Sequence, residues 1–257
     1  MNGANGFGGR VALVTGGTSG IGRAIVDGLA RRNAHVLVNG EDAAACRKVV
    51  EEVEAAGGKA TALPADVSQP EELARLADQA WSIAGPVHSL FLNAGIAGRK
   101  RAGENGYEAE VEQIFAVNLH QCRRLCDLLL PRMVAQAGAS AVLMASLAGL
   151  RGNRDIGVYS LTKAAVIQLT RDMAVRWGPQ GLRVNAVAPG LIATGWEKAI
   201  LSNREASERR LQMTPLRRVG QPGEVAEAAI FLASDAASFI TGHTLVVDGG
   251  TAITDGN

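Results

Sequence analysis

Short, unbroken apolar runs separated by helix-length amphipathic stretches recur from one end of this chain to the other, and few folds accommodate that alternation. The runs span 11–15, 35–39, 59–63, 89–93, 141–146, 182–188 and 244–247. Most are apolar throughout rather than at every second position, as in parallel strands covered on both faces. Between them, 20–32, 42–56, 70–84, 108–136, 157–177 and 222–234 carry helical spacing. Ser68-Gln-Pro-Glu71 reads as a capping box opening the third helix, and Pro131 is expected to kink or divide the fourth. The alternation predicts an α/β fold: a single doubly wound domain with a seven-stranded parallel sheet and helices on both faces. No linker, repeat or low-complexity block divides it, so 10–257 is expected to form one domain behind a flexible Gly- and Asn-rich arm, 1–9.

Composition narrows the partners. A net charge of +1 with 20% charged residues supplies neither a basic face for nucleic acid nor an acidic tail. No apolar stretch approaches the ~20 residues of a membrane span, and no signal peptide opens the sequence, so a cytoplasmic protein is expected. Cys46, Cys122 and Cys126 fit a reducing compartment. Cys122 and Cys126 share a helix face near His120, but a closed zinc site needs four ligands, and the expectation is buried free thiols with no metal.

Two stretches carry chemistry. The first run leads into Thr15-Gly-Gly-Thr-Ser-Gly-Ile-Gly22 and then a helix. Gly16, Gly20 and Gly22 permit positive φ and a close backbone approach to a pyrophosphate, and the helix start behind them presents free N–H groups. The spacing is Gly-x-x-x-Gly-x-Gly, distinct from Gly-x-Gly-x-x-Gly. Further on, Tyr159 and Lys163 lie four residues apart, one turn apart on the same helix face. A nearby ammonium stabilises a phenolate, and a Tyr tuned in this way can pass a proton to or from a carbonyl or alcohol oxygen. Ser146 ends the 141–146 run, where its hydroxyl can face the same space.

With the remaining landmarks added, the chain resembles a short-chain dehydrogenase/reductase of the short, single-domain branch. The resemblance rests on residues 15–22, Asp66-Val67, Asn93-Ala-Gly95, Val117-Asn118, Ser146, Tyr159-x-x-x-Lys163, Pro189-Gly190 and Val247-Asp-Gly-Gly250, in order over nearly the whole chain. It implies a Rossmann-type domain binding a nicotinamide dinucleotide. Thr15, Gly16, Thr18, Ser19, Gly20, Ile21 and Gly22 would surround the phosphates, and Asp66 and Val67 would meet the adenine. Asn93, Ala94 and Gly95 would leave room for the adenosine ribose, while Pro189, Gly190, Ile192 and Thr194 would hold the nicotinamide carboxamide. The resemblance makes Tyr159 the general acid/base, and Lys163 the group that lowers its pKa and holds the nicotinamide ribose. Ser146 would orient the carbonyl oxygen, and Asn118 would hold a water in a proton relay behind Lys163. Residues 190–213 would form a mobile substrate flap with Trp196 as an apolar wall. A homotetramer is implied too, supported by the apolar last strand and by 225–233, which lack an evident partner of their own.

The implied activity is NAD(P)-dependent interconversion of a secondary alcohol and a ketone. NADP-preferring relatives place a cation before the second loop glycine or just after the second strand. Here those positions are Ser19 and Glu41, which favours NAD, with Glu41 accepting from a ribose hydroxyl. The Asp that usually selects NAD would fall at Gly40, so a shift to Asp42, or NADP held by Arg23 or Arg47, remains the alternative. Arg99, Lys100, Arg101, Arg151 and Arg154 flank the expected mouth, and any of them turned inward implies an anionic substrate. A 3-oxoacyl-carrier-protein-type reductase is the runner-up, because 135–140 and 178–181, where such enzymes grip the acidic carrier, are uncharged here. A dinucleotide-sensing binding protein is the alternative of another class, although such proteins typically lose the Ser, Tyr or Lys. Sugar-nucleotide epimerases share Tyr-x-x-x-Lys but need a sizeable C-terminal substrate domain, and no such stretch follows Asp248.

Overall fold

The computed structural model describes residues 6–98, 100, 102–153, 156–195 and 204–254. The apolar runs become strands β1 (Val11–Val14), β2 (His35–Gly40), β3 (Lys59–Pro64), β4 (Val87–Leu92), β5 (Ser140–Met144), β6 (Arg183–Pro189) and β7 (Thr244–Val247). They pair in the order β3-β2-β1-β4-β5-β6-β7, every pair parallel. Successive side chains leave the sheet on opposite faces. Val11, Leu13, Leu37 and Leu90 enter one core, and Ala12, Val14, Val36 and Val38 enter the other. This two-sided burial is why β1 reads as apolar throughout.

Helices α1 (Gly20–Ala30), α2 (Ala43–Ala55) and α8 (Pro222–Ala233) cover the second core. Helices α3 (Pro70–Ala84), α5 (Gln121–Met133) and α6 (Val158–Trp177) cover the first. In α3 the buried residues Leu73, Leu76, Ala77 and Ala80 form one stripe at helical spacing. Buried Arg183 on β6 donates to the carbonyls of Leu232, Ala233, Ser234 and Ala237, closing the C-terminal end of α8. Burial pushes the Cys122 thiol up to about 11 against the pull of Lys163, and Cys46, Cys122 and Cys126 are all free and buried. Among the described residues, no helix is long and apolar enough to cross a membrane.

Several expectations change. The capping box at Ser68 does not form: Gln69 is the N-cap and Pro70 opens α3, while Ser68 N donates to Asp66 Oδ1 and Glu72 accepts from Asp66 N. Pro131 lies in the last turn of α5 and does not divide the fourth helical stretch. The break is a π turn, Ala116–His120, between α4 (Tyr107–Phe115) and α5, with Asn118 inside it. The arm expected over 1–9 is docked from Phe7, because that ring is buried in the core and Gly9 N donates to Asn33 O. A further helix, α7 (Arg204–Gln212), gave no apolar period because its sequence is almost wholly polar. Finally, the apolar residues of 225–233 other than exposed Phe231 already have partners. Val225, Ala226, Ala229 and Ile230 are buried within the chain, and α8 packs on α1.

Candidate active site

The strand order reverses between β1 and β4, which opens a crevice at the carboxyl ends of the strands, the position where open α/β sheets bind ligands. A cavity of about 690 Å³ lies there, within the usual range of ligand sites. Its first wall is a clasp between the ends of β1 and β4. Buried Thr15 Oγ1 accepts from Asn93 N at 3.0 Å and Ala94 N at 3.1 Å. In return Asn93 Nδ2 donates to Thr15 O at 3.1 Å and Gly16 O at 3.2 Å.

The clasp presses backbone on backbone, and this dictates the glycines. Gly16 has φ +63°, and a Cβ there would stand 2.9 Å from Ala94 Cα. A Cβ on Gly22 would collide with Gly16 O. The N-cap of α1, Ser19, makes no side-chain cap bond, so the first-turn N–H groups stay available to an anion. A side-chain-free cradle ahead of an uncapped helix start suits a pyrophosphate, so these residues fit a dinucleotide.

Gly40 and Glu41 line the cavity after β2. Asp42 is committed elsewhere, capping α2 through Ala44 N and Ala45 N. Arg23 is held by Asp27 at 2.9 Å and Glu52 at 2.6 Å, and Arg47 is exposed outside the lining. Ala65, Asp66 and Val67 follow β3 into the wall. Asp66 also serves its own turn, accepting from Ser68 N at 2.8 Å.

At the other end, Tyr159 and Lys163 open α6. Lys163 is buried, its Nζ donating to Met144 O at 2.7 Å and standing 5.5 Å from the Tyr159 ring centroid. Ser146, two residues beyond β5, accepts from Ala148 N at 3.1 Å and lines the cavity with both. Asn118 does not line it. Its Oδ1 accepts from Ile96 N at 2.8 Å, and its Nδ2 donates to Ile96 O at 2.9 Å and Thr162 Oγ1 at 3.2 Å. The amide thus ties the loop after β4 to α6 beside Lys163.

The cavity gathers Gly16, Thr18, Ser19, Gly20, Ile21, Glu41, Asp66, Val67, Asn93, Ala94, Gly95, Ser146, Tyr159, Lys163, Pro189, Gly190, Ile192 and Thr194. Thr15, Gly22 and Asn118 stand behind its wall. Arg151 is in the lining. Lys100 is exposed outside it, its Nζ donating to Asn105 O. Arg99, Arg101, Arg154 and Trp196 lie outside the described residues. Sequence reasoning missed Gln113 and had Leu191 and Arg210 of α7 only as unnamed members of the 190–213 flap; all three line the cavity. Arg210 carried no signal, being one Arg in a polar stretch.

A parallel doubly wound sheet with a phosphate cradle and a Ser, Tyr and Lys in one cavity defines a nicotinamide-dinucleotide oxidoreductase. The family model described as enoyl-(acyl carrier protein) reductase matches residues 16–252. Cyclohexanol dehydrogenase from Acinetobacter sp. (strain SE19) is 37% identical over 96% of this chain and 96% of its own length. A putative NAD(P)-dependent gluconate 5-dehydrogenase from Beutenbergia cavernae, solved with bound NADP, superposes with a TM-score of 0.92 at 36% identity, covering 98% of this chain and 100% of its own. A 7α-hydroxysteroid dehydrogenase complexed with NADH and 7-oxo glycochenodeoxycholic acid gives 0.91 at 36% identity over 97% and 98%. The chain belongs to the short-chain dehydrogenase/reductase family, and it is an NAD(P)-dependent alcohol dehydrogenase/ketoreductase.

The clasp makes a testable demand. Thr15→Val keeps the volume but strips two half-buried N–H groups of their acceptor, which should cost about 1–2 kcal/mol and weaken reduced-cofactor binding. Thr15→Ser should recover most of both. Denaturant midpoints and fluorescence titration read the two effects, and an unchanged midpoint in Thr15→Val would show that the clasp contributes nothing.

Proposed function

We propose that the protein interconverts a secondary alcohol and a ketone, with Tyr159 transferring the proton and NAD as the preferred cofactor. The observation that carries this is the convergence of Ser146, Tyr159 and Lys163 on the cavity that begins at the glycine cradle. When bound, the nicotinamide supplies hydride acceptance or donation; the chain supplies position and proton transfer. The Tyr159 hydroxyl gives a proton to the carbonyl oxygen in reduction and takes it back in oxidation. Ser146 donates to the same oxygen and fixes its direction. Lys163, pinned to the Met144 carbonyl, holds the nicotinamide ribose and stabilises a phenolate. Asn118 positions the Ile96 loop against α6 and keeps a water in the relay behind Lys163. Asp66 and Val67 receive the adenine, Asn93, Ala94 and Gly95 bound the ribose, and Pro189, Gly190, Ile192 and Thr194 meet the carboxamide.

NAD preference is supported by Glu41 in the lining, by the neutrality of Ser19, and by the commitment of Arg23 to Asp27 and Glu52. The carboxylate repels a 2′-phosphate and accepts from a free hydroxyl. Relatives named for cyclohexanol, gluconate and a 7-oxo steroid acid support small or cyclic secondary alcohols as the substrate class. Exposed Leu161 and Val175 on α6, and Phe239, Val246 and Ile253 around edge strand β7, supply apolar faces for a homotetramer. The buried free thiols suit the cytoplasm.

Tyr159→Phe keeps the ring but removes the proton donor, so turnover should fall by roughly 10²–10⁴-fold while reduced-cofactor binding persists. Turnover above about a tenth of wild type would contradict the assignment, since general acid–base catalysis contributes far more. For the cofactor, kcat/KM should favour NAD in wild type and shift toward NADP in Glu41→Arg. A wild type preferring NADP would show that Glu41 does not face the ribose.

A further inference from the structure

We propose that Arg210 and Arg151 form a carboxylate-binding subsite in the substrate part of the cavity, so that the alcohol or ketone turned over is a hydroxy or oxo acid. The inference rests on the reading of Tyr159 as the proton-transfer group and adds the charge of the substrate to it. Arg210 comes from α7 and Arg151 from the loop after β5, and both line the cavity shared with Ser146 and Tyr159.

The turn that follows β7 holds the Arg151 guanidinium and braces the backbone of α7 at Arg210. Arg151 Nη1 donates to Thr251 O at 3.1 Å. Thr251 Oγ1 meets Thr214 Oγ1 at 3.0 Å, and Thr214 Oγ1 donates to the Arg210 carbonyl at 3.1 Å. Among the described residues, no Asp or Glu forms an ion pair with either guanidinium. Asp248, whose charge reaches Arg210, is directed into its own turn, where Oδ1 accepts from Gly250 N and Oδ2 from Ala252 N. Arg210 Nε is buried without a partner, a state that costs free energy in any protein interior. Burial, and then the Arg151 charge, press Arg210 below its ordinary value, with Asp248 opposing.

Two like charges that make no ion pair with a carboxylate and are not fully offset by Asp248 are relieved by an anion. The Nε–Nη edge of a guanidinium is a planar pair of donors that matches the two oxygens of a carboxylate. Ala148, Ile156 and Leu191 in the same lining are apolar and suit the carbon skeleton between that carboxylate and the reacting carbon.

The test is calorimetric binding to the Tyr159→Phe protein, chosen so that the probes are not turned over, saturated with reduced cofactor, using 4-oxopentanoate, 5-oxohexanoate and 6-oxoheptanoate, each beside its methyl ester. At least one acid should bind more tightly than its ester. That preference should fall roughly tenfold or more in Arg210→Met and in Arg151→Met, with Arg210→Lys intermediate because it keeps the charge and loses the fork. Arg210→Met removes a partly buried charge with an unpartnered Nε, so its thermal midpoint should be at or above wild type. Acids that bind no better than esters, or a preference unchanged in both Met variants, would overturn the subsite. In that case, ester turnover that is lost in Tyr159→Phe would leave the proton-transfer reading standing. Preferential acid binding with no turnover of any probe by the wild type would uphold the subsite and overturn that reading.

Discussion

Everything at this site depends on how closely the end of β1 lies against the end of β4. Thr15 and Gly16 share four hydrogen bonds with Asn93 and Ala94 across the two strand ends, and each of the groups would be costly to bury without a partner. The clasp fixes the point where the sheet order reverses. It also leaves no room for side chains at Gly16 and Gly22, so the start of α1 faces the crevice with its backbone bare. That geometry suits a phosphate without a dedicated cation.

The reacting end is positioned by a second set of buried bonds. Lys163 is anchored to the Met144 carbonyl at the end of β5, so α6 and the sheet hold the ammonium against Tyr159. The π turn around Asn118 lets one amide bond to Ile96 N, Ile96 O and Thr162. Helix, loop and α6 therefore form one rigid frame, and catalytic geometry generally requires such support from the surrounding shell.

Much of this was legible in the sequence. The strands were readable because two-sided burial makes each one an unbroken apolar run, and the glycine turn and Tyr159-x-x-x-Lys163 because chemistry fixes their spacing. The residues behind the wall were harder. Thr15 and Asn118 sit among the expected site residues, but nothing in a one-dimensional pattern reveals that their side chains bond to backbone rather than face a ligand. Ser68 misled because the turn at Asp66 takes up both Ser68 N and the Glu72 carboxylate, and Pro131 because the break in the helix is set by the tertiary bonds of Asn118. Phe7 was hidden among glycines, although one buried aromatic outweighs a flexible neighbourhood. Arg210 was illegible for a different reason, since only the folding of α7 over the cavity separates it from the other arginines around it.

The central claim is that this cavity transfers hydride between the carbinol carbon of a secondary alcohol and the nicotinamide ring. The most direct measurement uses secondary alcohols deuterated at the carbinol carbon, incubated with NAD and the purified protein, with the reduced cofactor analysed by mass spectrometry and NMR. Deuterium should appear at the C4 position of the nicotinamide on a single face. A cofactor that binds but acquires no label from any alcohol, or acquires it equally on both faces, would contradict the claim.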